Sequence, residues 1–145
     1  MKRVTARQRA SITERANGYC EYCMSSSDYS TQTFSVEHIY PIHLGGQSEL
    51  DNLALSCQGC NSHKATRVEW PDPLSGEVAP LFHPRQMKWE EHFTWEAEYT
   101  RIVGITPTGR ATIEALQMNR QGLQNLRGAL YVFGQHPPSY SKGEI

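Results

Sequence analysis

Between residues 34 and 40 the chain alternates in character. Phe34, Val36, His38 and Tyr40 would share one face of an extended segment, with Glu37 and Ile39 on the other. Pro41 and Gly45-Gly46 break that segment, and Leu53-Ala54-Leu55 resumes it. Residues 58–68 can form a helix stopped by Pro71, with Asn61 and Lys64 or Ala65 one turn apart. The predicted order is strand, loop, strand, helix. After Trp70, the crowding of Pro71, Pro73, Gly76, Pro80 and Pro84 predicts an ordered loop or a linker in place of regular structure, and residues 84–91 a short helix. From Phe93 the apolar positions Trp95, Ala97, Tyr99, Ile102, Val103 and Ile105 predict a hairpin turning near 97–100, with a helix as the alternative. Thr108 is placed to cap a helix through Ala111, Ile113, Ala115 and Leu116, and Asn119 to cap another through Leu123, Leu126 and Leu130.

These elements fit one domain, since the chain has 145 residues. With 38% hydrophobic and 20% charged residues it can form a modest core and is not expected to be disordered. No stretch approaches the roughly 18 apolar residues of a membrane helix, and the basic start lacks the apolar run of a signal peptide, so a cytoplasmic protein with no membrane partner is expected. A net charge of −1 does not announce a nucleic-acid binder. The distribution says more: residues 1–19 hold Lys2, Arg3, Arg7, Arg9 and Arg15 against Glu14 alone. Such an arm could follow a phosphate backbone, or only keep a chain end solvated.

The four cysteines form Cys20-x-x-Cys23 and, after 33 intervening residues, Cys57-x-x-Cys60. Two intervening residues let both thiolates of a pair turn toward one point, and two pairs supply the four soft ligands that tetrahedral zinc takes at about 2.3 Å. Asn17-Gly18 leads into the first pair and Gly59 lies inside the second, supplying turn chemistry. A disulfide pair would suit a secreted chain, and a redox dithiol would use one pair; structural zinc is the reading these spacings favour.

The segment Val36-Glu37-His38-Ile39-x-Pro41, with Gly45-Gly46, Asn52-Leu53 and Cys57-x-x-Cys60-Asn61-x-x-Lys64, resembles the HNH endonuclease family, in the form that carries a four-cysteine zinc site. The likeness runs in order through residues 20–64. It implies an α+β fold: a zinc-fastened ββα-metal core, here with a C-terminal extension of a β-hairpin and short helices. That extension, with Leu81-Phe-His-Pro-Arg85 and Gly109-Arg-Ala-Thr-Ile113, looks like one found on some small bacterial HNH proteins. Residues 1–19 would be a basic arm with a short helix, 20–69 the nuclease core, 70–134 the extension packed on it, and 135–145 a mobile tail.

Phosphodiester hydrolysis needs an activated water, a cation against the charge on the phosphoryl oxygens, and support for the departing oxygen. His38 is the natural general base, because an imidazole near its ordinary pKa of about 6.5 accepts a proton at neutral pH. The resemblance implies that the acidic residue before it and the Asn or His on the helix bind one Mg2+ or Mn2+ ion, which assigns Glu37 and Asn61 as ligands. Ideal strand geometry turns Glu37 away from His38, and most relatives have aspartate there. Asn61 stands where the family name has its second histidine. The resemblance makes Asn52 a brace that orients His38 and sends Lys64 to a phosphate. Each has a plainer reading: Glu37 as a solvated carboxylate, Asn52 in a local turn, Asn61 as a helix cap. His43 and His63 are weaker candidates and are expected on the surface.

The function implied is a DNA endonuclease leaving 5′-phosphate and 3′-hydroxyl ends, with DNA as partner and RNA kept open. The alternatives are a non-catalytic zinc module that binds nucleic acid, and a nuclease subunit that needs a partner. Trp70, Trp89 and Trp95 are expected in the core rather than stacked on bases, since a small apolar share cannot spare them. Arg85, Arg110, Arg120 and Arg127, with Lys88 and Arg101, could form a DNA-facing ridge if they share a side.

Overall fold

The computed structural model describes residues 3–138; Lys2 of the basic arm and residues 139–145 of the predicted mobile tail lie outside them. Helix α1 (Ala6–Arg15) starts at a reciprocal cap, with the Thr5 hydroxyl accepting from Gln8 N–H and the Gln8 carboxamide accepting from Thr5 N–H. It buries Ile12 and exposes its arginines. Left-handed Asn17 and Gly18 stop it and turn the chain into the first cysteine pair.

Strands β1 (Ser35–His38) and β2 (Leu53–Ser56) then pair antiparallel, Glu37 opposite Ala54 and His38 opposite Leu53. Helix α2 (Gln58–Lys64) follows at once, capped by the Cys57 sulfur, which accepts from Cys60 N–H. It ends four residues earlier than the pattern predicts, because Ala65 takes a positive φ. The strand, loop, strand, helix order and the α+β class both hold.

The proline-crowded stretch is a hairpin, which corrects the loop or linker reading: β3 (Glu69–Pro71) pairs with β4 (Val78–Pro80). Both prolines sit in a two-stranded ribbon that leaves room for a missing N–H. The turn is built on Asp72, which accepts from Leu74 N–H and Ser75 Oγ and is clamped by Arg110 through Nε at 2.9 Å and Nη2 at 3.0 Å. Bonding to Arg110 holds the Asp72 carboxyl well below its ordinary range. Residues 84–91 are not a helix. A turn at 83–87 and a single 3-10 turn at Trp89–Glu91 replace it, as Phe82 packs on the Tyr22 ring and Trp89 Nε1 donates to Tyr22 O.

Strands β5 (Phe93–Trp95) and β6 (Ile102–Gly104) form the predicted hairpin, its turn closed by Glu96, which accepts from Glu98 N–H and from Thr100 N–H and Oγ1. Helix α3 (Pro107–Leu116) is capped by Thr106 and not by Thr108, because Pro107 fills the first helical position, where no N–H is needed. Helix α4 (Gln121–Val132) follows Arg120 with no side-chain cap. Asn119 is engaged elsewhere, accepting from Ile102 N–H and donating to Ile102 O, so it extends the edge of β6.

One core joins both halves, with Ile12, Tyr22, Leu53, Phe82, Phe93 and Leu116 in a single buried cluster, and Trp70, Trp89 and Trp95 packed against it. The arginine ridge does not form: Arg85 pairs with Glu21, Arg110 with Asp72, and Arg127 is buried on the Met118 and Thr100 carbonyls. Among the described residues no helix is long and apolar enough to cross a membrane.

Candidate metal centre and nuclease cleft

The two cysteine knuckles converge. All four side chains are buried and their sulfurs lie within 4.8 Å of one another. Cys23 and Cys57 Sγ are 3.7 Å apart, and a tetrahedron with 2.3 Å metal–sulfur bonds has edges of about 3.8 Å. In each knuckle the second cysteine's N–H points at the first sulfur, Cys23 to Cys20 at 3.5 Å and Cys60 to Cys57 at 3.4 Å. Hydrogen bonds from the other three push the Cys57 thiol far down, while burial holds Cys20 up. A buried, four-sulfur, tetrahedrally spaced donor set fits structural zinc.

A cation from the extension covers this cluster. Arg120 Nη2 lies 3.6 Å from Cys57 Sγ and 3.9 Å from Cys60 Sγ, and its Nη1 is fixed by the Leu116 and Gln117 carbonyls at 2.9 Å. Burial alone would lower the Arg120 pKa, but the charges of Cys60, Cys23 and Cys57 outweigh it and raise it. Gly59 leaves room for the guanidinium, since a Cβ there would stand 2.5 Å from Arg120 Nη2.

On the hairpin, alternation sends Glu37 inward and His38 to the opposite face. Glu37 is 7% exposed. Its Oε1 lies 3.2 Å from Lys64 Nζ and its Oε2 accepts from the Tyr22 hydroxyl. Burial raises the Glu37 pKa despite the opposing pull of Lys64 and Tyr22, and burial beside Glu37 drives the Tyr22 phenol well up. Lys64 is 1% exposed and also donates to Ile39 O at 2.9 Å, so its amine faces the interior and not solvent.

The imidazole of His38 is half-buried, with Nε2 2.8 Å from Ser48 Oγ. Ser48 is itself held by α1, through Gln8 Nε2 to Ser48 O at 2.8 Å. Burial, reinforced by the Lys64 charge, lowers the His38 pKa. Asn52 closes the connecting loop. Its Oδ1 accepts from Tyr40 N–H at 2.9 Å, and its Nδ2 donates to Tyr40 O and Gln47 O. Gly46 is required beneath it, because a Cβ would lie 1.9 Å from Tyr40 O. Asn61 stands on α2 one turn before Lys64, half-buried, its carboxamide unengaged by any described residue. His43 and His63 are exposed.

Residues 20–67, about a third of the chain, match the model of the HNH endonuclease family. This segment is an HNH domain. No curated protein and no solved structure matches the chain. An HNH domain is a nuclease-type module, and it implies a nucleic-acid substrate.

Sequence reasoning missed the roles of three residues in and around the HNH domain. Tyr22 lies between the first two cysteines, and a knuckle that turns both sulfurs to the metal must send a middle residue toward the hairpin; that was the available signal. His83, from the extension, has its Nδ1 accepting from Arg85 N–H at 3.2 Å. Burial lowers its pKa, and the charges of Lys64 and Asp51 reach it. Arg120 has no sequence signal, since 60 residues separate it from the Cys60 it covers.

Proposed function

We propose that this chain is an endonuclease that hydrolyses DNA phosphodiester bonds, with His38 as general base and one divalent cation. The observation that carries the reading is the His38 ring, held at Nε2 by Ser48 and following Glu37 in sequence, inside an HNH domain. That bond leaves Nδ1 to take a proton from water. A lowered pKa keeps the ring neutral, and so able to act as a base, at neutral pH.

Glu37 and Asn61 would hold the cation. A carboxylate and a free carboxamide are the hard oxygen donors that Mg2+ or Mn2+ takes. When bound, the ion supplies charge against the phosphoryl oxygens and the departing 3′ oxygen. Asn52 ties the loop that carries Ser48 and so fixes the His38 ring. Lys64 now neutralises Glu37, and the phosphate role implied by the family requires that it leave that carboxylate.

The same pair favours the competing reading, a zinc module that binds nucleic acid without cutting it, because both Glu37 oxygens are engaged. A plasmid-nicking assay with Mg2+ or Mn2+ separates the two. The parent should nick, and His38→Ala should lose about 10²- to 10⁴-fold in rate while keeping its zinc and its melting temperature. Cleavage by His38→Ala at the parental rate removes His38 as the base.

A further inference from the structure

Beside α1 the surface opens into a groove of about 380 Å³. It is lined by Arg9 from α1, by Ser30, Thr31 and Thr33 from the following loop, and by Phe34 and Leu55. Among the described residues no carboxylate lines it. A guanidinium and several hydroxyls lining one groove are a donor set for an anionic, oxygen-rich chain. Arg9 is exposed, its Nη1 3.4 Å from Phe34 O, and among the described residues it makes no ion pair.

The groove lies on the hairpin face that carries His38. Val36 lies opposite Leu55 and His38 opposite Leu53, so alternation puts Phe34, Val36, Leu55 and His38 on one face of the hairpin. Four strand residues at about 3.3 Å each separate Phe34 from His38, roughly 13 Å. That is on the order of two nucleotides of backbone, since neighbouring phosphates on one strand stand about twice the 3.4 Å axial rise apart. The same helix borders both places, Gln8 bonding the loop that holds His38 and Arg9 lining the groove.

We propose that this groove seats the phosphodiester backbone of the substrate strand, about two nucleotides from the bond presented to His38. The inference rests on the nuclease reading for its register, but its binding test does not depend on cleavage. Fluorescence anisotropy on a labelled duplex, with Ca2+ in place of Mg2+, reads it directly. Arg9→Ala should weaken binding several-fold and lower the slope of log K against log salt by about one, since each neutralised phosphate adds roughly 0.9. Arg9→Lys should keep the slope. Thr31→Arg, which adds a cation to the groove lining without touching α1, should tighten binding and steepen the slope by a similar amount. If Arg9→Ala and Thr31→Arg both match the parent in affinity and slope, the groove is not a backbone site, even where the parent cuts DNA. If both shift as stated and the parent never cuts, the groove stands and the nuclease reading falls. Equal losses by Arg9→Ala toward polyglutamate of matched charge would reduce the effect to bare attraction and overturn the proposal.

Discussion

The cysteine cluster and the Glu37 cleft are two candidate metal sites of opposite construction. In the cluster, four sulfurs already stand at tetrahedral spacing, placed by two short turns whose own N–H groups point at sulfur. In the cleft, the carboxylate is buried against a lysine and a tyrosine, and the carboxamide proposed to share its ion stands on a separate element. Local backbone geometry can assemble a soft site. The hard site depends on how a strand and a helix meet, and an internal ammonium holds its charge balance.

The largest effect that would break this contrast is loss of the zinc cluster. Cys57→Ser should lower zinc below one per chain and remove a large part of the roughly 10–16 kcal/mol that structural zinc contributes in small domains. Elemental analysis and a thermal melt check it, and unchanged stoichiometry and melting would end the four-thiolate assignment. Next comes the internal pair. Lys64→Met leaves Glu37 buried beside Tyr22 with no cation, which should destabilise by roughly 3–5 kcal/mol in urea denaturation. Adding Glu37→Gln should recover most of that loss, because it is the unpaired charge that is costly. A double variant as unstable as the single one would mean that packing, and not charge, governs the cleft.

The smallest effect sharpens the comparison at His38. Its pKa is lowered by burial and by the Lys64 charge, and a base acts when neutral. Cleavage efficiency should therefore rise with pH along an acid limb whose midpoint lies below about 6.5, the ordinary histidine value. Removing the like charge in Lys64→Met should move that midpoint up. A midpoint above 6.5 in the parent would show that His38 does not carry the limb.

How much was legible follows from the range of each interaction. The paired cysteines, the alternation at Val36 and His38 and the break at Gly45-Gly46 are local signals, and they were read correctly. The Phe93–Trp95 and Ile102–Gly104 hairpin was likewise visible in its apolar pattern. Pro71 and Pro80 misled because proline argues against a strand unless its missing N–H has room, and only pairing geometry reveals that. Asn119 looked like a helix cap; its carboxamide instead satisfies the backbone of Ile102, 17 residues away.

From the sequence alone came the donor chemistry and its order: which sulfurs could share an ion, which imidazole sits on a strand, which carboxamide sits on a helix. These depend on spacings of a few residues, where φ, ψ and side-chain period leave few options. The tertiary structure decided which charges meet. Burial of Glu37 against Lys64, the Arg120 guanidinium over Cys57 and Cys60, and the groove lined by Arg9 and Thr31 all join residues distant along the chain. Such pairings arise when packing brings elements together and removes water between them, and no local pattern records that.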